Sequence, residues 1–281
     1  MPKSSAGVRY RRPWTPEQVD RNRQWTMSKP GAARGADSAE TPIYDPTLLD
    51  DLLIGGSLVR QAFLASKMCV ARHDTTLVRM SDPQPPILLI RSGFAVRSCT
   101  LRNGRRAILD LFVPGGICGL DHAFTRYPVE EISAVGRVAY HALDASNFRK
   151  LFSQPQAAFR IVTLVAEARY RVERVAATIG RFDAAARISV LLLDTYDRLR
   201  RRELIRVPSF AFPLTQEQIG DYLGLTLVHV NRTLRALREQ GLLSITRQMV
   251  SIPDPNRLRA LVQGLPESAE LYDPIPTVDQ V

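Results

Sequence analysis

Apolar positions change their spacing several times along the chain, and each change marks a different kind of element. Residues 1 to about 44 show no sustained helical or alternating pattern and carry eight basic and four acidic residues among scattered Pro, Gly and Ser. That composition predicts a disordered N-terminal extension. From Pro46, "PTLLDDLLIGGSLVRQAFLAS" predicts one or two short helices with Leu48, Leu52, Leu58 and Phe63 as core positions, broken at Gly55 and Gly56. Between Cys69 and Leu143 the apolar runs become short: "ILLIRSGFAVRSCTLR", "RRAILDLFV" and "RVAYHAL". They are separated by turn signals at Pro85-Pro86, Asn103-Gly104 and Pro114-Gly115-Gly116. Asn-Gly between two strand-like runs predicts a hairpin, because both residues tolerate positive φ. Several short strands at this spacing predict a small antiparallel barrel or jelly roll.

A helical period returns at Pro155, a residue suited to a first turn. Apolar residues recur at Ile161, Val165, Ala168, Val172, Val175 and Ile179, with steps of 4, 3, 4, 3 and 4. Such a seam, bounded by Arg169, Arg171, Glu173 and Arg174, predicts a helix paired in parallel with a copy of itself. The competing reading is an amphipathic helix packed on its own domain, which calls for a broader stripe. After Gly180 and Arg181, "AARISVLLLDTYDRLRRREL" predicts another amphipathic helix ending in Arg198, Arg200, Arg201 and Arg202.

The segment "LTQEQIGDYLGLTLVHVNRTLRALREQGLL", Leu214 to Leu243, carries the most specific pattern. Thr215 followed by Gln218 is a capping-box pair, so a helix starts there. Gly224 ends it after about two turns, and Thr226 caps a second helix. Ile219 and Leu223 face inward from the first helix, and Val230, Leu234 and Leu237 share the inner face of the second. Val228, Asn231, Arg232 and Arg235 then lie on the opposite face, with His229 at its margin. Two helices joined by a short turn, the second displaying amide and guanidinium groups, match a helix-turn-helix. Arg can pair with guanine O6 and N7 and Asn with adenine N6 and N7, and both can also hold phosphates. Thr215, Gln216 and Thr226 at the helix starts complete the candidate contact set. The competing reading is a helical hairpin in an enzyme's accessory domain. Beyond Gly241, "LLSITRQMVSIP" predicts two short strands around Arg247-Gln248, which makes the motif a winged one.

Charge supports a polyanionic partner. The chain of 281 residues has a formal net charge of +10, and only Lys3, Lys29, Lys67 and Lys150 among its 38 basic residues are lysine. Residues 181 to 260 carry 13 basic and 8 acidic residues, a net of +5. No apolar run approaches the roughly 20 residues needed to span a bilayer, so the expectation is a cytoplasmic protein without a membrane partner. Cys69, Cys99 and Cys118 lack disulfide or zinc spacing and are expected to be small core residues. Nucleophile-elbow, zinc-protease, phosphate-loop and dinucleotide-binding motifs are missing, which argues against an enzyme.

The order of β-roll, long helix and C-terminal winged helix-turn-helix resembles the Crp/Fnr superfamily of bacterial transcription regulators, over about residues 46 to 262. The resemblance is most specific at Leu214 to Leu243, with support from "SGFAVRSCTLRNGRRAILDLFVPGGICGL". It implies an α+β chain: a cyclic-nucleotide-binding-like β-roll over 45–153, a dimerisation helix over 154–180, a winged helix-turn-helix over 181–262 and a tail over 263–281. It implies a homodimer on a two-fold symmetric operator in double-stranded DNA, with RNA polymerase as a further partner. Val228, His229, Asn231 and Arg232 occupy the family's reading positions. The acidic residue frequent in the family is replaced by Val228, which puts the usual half-site in doubt.

The resemblance also identifies where an effector would sit. Members that bind cyclic nucleotides carry a Gly-Glu-Leu turn followed about a dozen residues later by Arg-Ser or Arg-Thr. In "PGGICGLDHAFTRYPVEEIS" the turn residues Gly115 and Gly119 remain, Leu120 stands in place of Glu, and Glu130 stands where the Arg would be. A carboxylate there repels the phosphate, and Arg126 could substitute only through a different loop fold. The oxygen-sensing members need four cysteines, whereas this chain has three. His73, His122 and His141 are formal haem-ligand candidates but are expected to be ordinary β-roll histidines. The expectation is therefore no cofactor, no metal and a signal other than cyclic AMP, acting through a hinge near Gly180. The alternative is a cyclic-nucleotide- or other small-ligand-binding module in which DNA binding is secondary.

Overall fold

The computed structural model describes residues 57–125, 128 and 130–265. The proposed N-terminal extension, Leu48, Leu52, the Gly55-Gly56 break, Arg126 and most of the tail lie outside the described residues.

Helix α1 (Ser57–Leu64) opens the described chain and buries Phe63 against Phe148, with ring centroids 6.3 Å apart. An antiparallel roll follows: β1 (Lys67–Ala71), β2 (Thr76–Val78), β3 (Ile87–Thr100), β4 (Arg106–Phe112), β5 (Ile117–Cys118) and β6 (Glu131–Leu143). The order is β1-β6-β3-β4, with β2 added to β6 and β5 to β3. Strands β3 and β6 pair from Ile87↔Leu143 to Ser98↔Glu131, with register shifts around Ser92. Gly93 sits at that irregularity with φ 79°, and a Cβ there would lie 2.1 Å from the Arg137 carbonyl oxygen. Only glycine allows the two long strands to bend past each other so closely.

The Asn103-Gly104 hairpin forms, but not through two positive-φ residues. Gly104 alone has positive φ, at 77°. The Gly104 amide donates to the Leu101 carbonyl at 2.9 Å, and the Leu101 amide donates to that of Arg105 at 2.8 Å. This is a three-residue loop in which a turn over Arg102-Asn103 is closed by a left-handed glycine.

Helix α2 (Ala145–Lys150), capped by Asp144, leads through a turn to α3 (Pro155–Arg181), which has Pro155 in its first turn. The predicted seam of α3 is divided between two faces. Ile161 is 1% exposed in a cluster with Phe63, Leu143 and Phe148, and Val175 packs on the chain's main core. Ala168 is half-buried, and half-buried Ile179 lies beside Gly224. Only Val165 and Val172 face outward, 45% and 39% exposed. The inward face of α3 runs through Ala157, Ile161, Leu164, Arg171, Val175 and Thr178. A 4-3 spacing satisfies an intramolecular groove as readily as a second helix, and here the stripe is shared between the chain's own cores and an outward edge.

Helix α3 ends at Arg181, just after Gly180. Gly180 is helical, and the chain turns at Phe182-Asp183, where the Asp183 carboxylate accepts from the Ala186 amide at 2.9 Å and starts α4 (Ala184–Arg201). Arg187 Nε donates to the Phe182 carbonyl at 2.8 Å and braces the corner. Strand β7 (Ser209–Ala211), α5 (Gln216–Leu223), α6 (Leu227–Glu239), β8 (Ser244–Thr246), β9 (Met249–Ser251) and α7 (Pro255–Arg259) complete the C-terminal part. Its small sheet has the order β7-β9-β8.

One core runs through both halves. Phe94, Val96, Ile108, Leu111, Val113 and Val135 of the roll join Leu191, Phe210, Tyr222 and Leu234 of the C-terminal part in a single cluster. Arg198, read as part of a terminal basic cluster, is buried inside it: Nη1 donates to the Leu111 carbonyl at 2.7 Å and Nη2 pairs with Asp194 at 2.8 Å. Among the described residues no helix is long and apolar enough to cross a membrane.

Candidate nucleic-acid interface

Local side-chain bonds fix both helices of the reading motif. At the start of α5 the Gln218 amide donates to Thr215 Oγ1 at 3.1 Å, and the Thr215 amide donates to Gln218 Oε1 at 2.9 Å. This closes the capping box and satisfies amide groups that would otherwise lack partners. Gly224 ends α5 in the left-handed conformation at φ 66°. The turn then passes so close to α5 that a Cβ on Gly220 would lie 2.6 Å from the Leu225 carbonyl oxygen. Thr226 caps α6 by accepting from the His229 amide at 3.3 Å.

Val230, Leu234 and Leu237 are buried, as are Ile219 and Leu223 opposite them. Burial of that stripe turns the other face of α6 outward. Thr226, Val228, His229, Asn231, Arg232 and Arg235 are all exposed, Val228 at 74%. Asn231 Nδ2 donates to Gln216 Oε1 at 3.0 Å, so the two helices are tied at the surface. Arg235 Nε donates to Glu239 at 2.8 Å, and that hydrogen bond with the carboxylate's charge raises its pKa above the ordinary arginine value. Thr215 is exposed and Gln216 half-exposed at the start of α5, so the whole predicted contact set lies on the outer side of the motif.

The wing also matches the reading from sequence. Strands β8 and β9 pair from Ser244↔Ser251 to Thr246↔Met249. Arg247 and Gln248 form the two-residue turn with φ 48° and 62°, as a hairpin with the strands' own twist requires. The turn is exposed and puts the Arg247 guanidinium at its tip.

The expected effector region is built differently. Gly115 donates its amide to the Ile90 carbonyl at 2.7 Å and, with φ 79°, belongs to the turn between β4 and β5. Gly119, φ 71°, precedes a short 3-10 turn, and a side chain there would strike the His122 ring. Leu120 is buried in an apolar cluster with Phe63 and Phe148, and Glu130 lies half-buried just before β6. His122 and His141 are buried and bond backbone carbonyls of Pro86 and Ser66 at 3.1 and 3.2 Å, whereas exposed His73 accepts from the Gly136 amide and pairs with Asp74. Cys118 is buried, and burial together with the charge of Asp110 pushes its thiol pKa well up.

Contacts that hold the reading motif against the roll were not legible in the sequence. Arg106 of β4 pairs with Asp221 of α5 at 3.2 Å. Arg171 of α3 pairs with buried Asp110 of β4, also at 3.2 Å, while Asp110 Oδ1 accepts from the Leu111 amide at 2.9 Å. These partners lie 61 and 115 positions apart in sequence, and only the alternation of β4 hinted that one of its polar residues turns inward.

A winged helix-turn-helix with an exposed polar second helix, packed on an antiparallel β-roll, defines a DNA-binding protein with a sensor-like domain. Residues 186–261 match the Crp-like helix-turn-helix domain. The nitrogen fixation regulation protein FixK of Azorhizobium caulinodans is 30% identical over 181 residues, covering 62% of this chain and 71% of that protein. The transcriptional activatory protein AadR of Rhodopseudomonas palustris is 27% identical over 161 residues, covering 57% of this chain and 66% of that protein. The solved structure of FixK2 from Bradyrhizobium japonicum shares the fold, with a TM-score of 0.64 at 24% identity, covering 70% of this chain and 97% of that one. The chain belongs to the Crp/Fnr family of transcription regulators.

Proposed function

We propose that the protein is a cytoplasmic homodimer that reads a two-fold symmetric operator by placing the two copies of α6 in successive major grooves, about 34 Å apart. The observation that carries this reading is the outer face of α6: a capped, exposed helix start with Val228, Asn231 and Arg232 beside one another and Asn231 braced by Gln216. Arg232 supplies a bidentate guanine or phosphate contact, Asn231 an adenine or phosphate contact, and Val228 an apolar surface for a thymine methyl group. Arg247 on the wing reaches a flanking phosphate. Arginine–phosphate contacts dominate affinity, which falls steeply with salt.

Dimerisation uses the outward stripe of α3, Val162, Val165, Arg169, Val172 and Ala176, whose steps of 3, 4, 3 and 4 suit a parallel pair. RNA polymerase is the further partner through which such a dimer would act on transcription. In this reading the roll responds to a signal other than cyclic AMP. Leu120 is part of an apolar cluster rather than a ribose contact, and Glu130 offers a carboxylate where a phosphate needs a cation.

The test is a gel shift on an operator selected from random duplexes. Arg232→Ala and Asn231→Ala are each expected to weaken binding by about 1–3 kcal/mol, roughly 5- to 150-fold, with the fold and dimer retained. Undiminished binding by the folded double variant would remove α6 as the reading surface.

A further inference from the structure

The junction of α3, α4, α5 and β4 encloses charged groups that DNA reading leaves unused. A small cavity there is lined by Arg171, Arg174, Asp194 and Tyr222, with Val175 and Val190 on its apolar wall. Two cations of the group have acidic partners: Arg171 pairs with Asp110, and Arg198 with Asp194. Arg174 has none among the described residues. It is 9% exposed, and its Nε and Nη1 are buried without a hydrogen-bond partner. A guanidinium is charged at neutral pH, so an uncompensated one is costly to bury.

Among the described residues the neighbouring carboxylates are already committed. Asp110 accepts from Arg171 and from the Leu111 amide, and Asp194 is held by Arg198. Burial, and then the charges of Arg198 and Arg171, lower the pKa of nearby Arg202 to about 9, with Glu167 opposing. The Arg202 Nη1 is buried without a hydrogen bond as well. The region is therefore short of negative charge. Tyr222 adds a phenol whose pKa is raised by burial and by Asp110 and Asp194, so it remains protonated and able to donate. The cavity, about 10 Å³, has room for one small ion and not for a nucleotide.

We propose that this cavity binds one small inorganic anion of chloride size, held by Arg174 with Arg171 and the Tyr222 hydroxyl. A bound anion supplies the charge that Arg174 lacks and links α3 to the helices that carry the reading motif. Its occupancy stiffens the junction between roll and reading domain.

Thermal unfolding of the full chain at pH 7.5 and constant ionic strength tests this, with sodium gluconate replaced stepwise by sodium chloride. Gluconate is too large for the cavity. The expected result is a saturable rise in Tm with chloride, together with a broadened chloride-35 NMR line. Both responses should be lost in Arg174→Gln, while Tyr222→Phe raises the half-saturating chloride concentration several-fold. A Tm indifferent to the anion, or equal chloride responses in wild type and either variant, would overturn the proposal. Should Arg174→Gln fail to fold, the Tyr222→Phe comparison decides alone.

Discussion

Gly220 shows how one side chain can control the angle between the two reading helices. Its missing Cβ lets the Leu225 carbonyl pass at a distance that backbone cannot vacate. Gly220→Ala is expected to lower stability by about 1–3 kcal/mol and to weaken operator binding, as measured by urea unfolding and gel shift. An unchanged midpoint would mean the turn can relax. Arg202 leads to a prediction about pH. Its native pKa of about 9 lies well below the ordinary arginine value. Below pH 9 both native and unfolded states hold the proton, and the native protein bears the full cost of the buried charge. As pH rises through 9 the native state sheds the proton while the unfolded chain keeps it, so the cost fades. Arg202→Gln should therefore stabilise the protein at pH 7.5, by on the order of 1 kcal/mol, and the gain should shrink by pH 10. A gain independent of pH would assign the effect to packing.

At the scale of the element, α3 offers two faces that a substitution series can separate. Ile161 belongs to the chain's own core, whereas Val165 and Val172 face outward. Ile161→Ala is expected to cost about 2–5 kcal/mol of stability and to leave association intact. Val172→Glu should leave the melting of the isolated chain nearly unchanged but shift sedimentation from dimer to monomer. The opposite pattern would restore the seam first expected from spacing. The helix-turn-helix was fully legible because its signals are local: Thr215 with Gln218, Gly224 and Thr226 each act within four residues. The faces of α3 were not, because a 4-3 repeat reports that a stripe is covered without reporting by what. The hairpin at Asn103-Gly104 is an intermediate case, its existence legible and its loop length not.

The whole molecule behaves as more than a sensor linked to a reader. Leu111 and Phe94 of the roll share a cluster with Leu191 and Tyr222, and Arg198 bonds the roll's backbone from inside α4. Calorimetry of residues 57–265 is accordingly expected to show one transition, with calorimetric and van't Hoff enthalpies equal. Two resolved transitions would mean that the shared core contributes little to coupling. The corner at Phe182-Asp183, two residues past Gly180, is braced by Arg187. A signal that reorients the reading helices would also disturb the packing around Asp110, Arg171 and Arg198.

Sequence alone determined the elements, the caps of both reading helices, the wing, and the face on which Asn231 and Arg232 stand. Those follow from the 3.6- and 2-residue periods and from side chains that satisfy nearby backbone groups. Tertiary structure alone decided which stripe of α3 is outward, that Arg198 is a core residue rather than a surface cation, and that Arg174 is enclosed without an acidic partner among the described residues. Charge pairing and burial depend on residues far apart in the chain being brought within a few ångströms, and no local period records that distance.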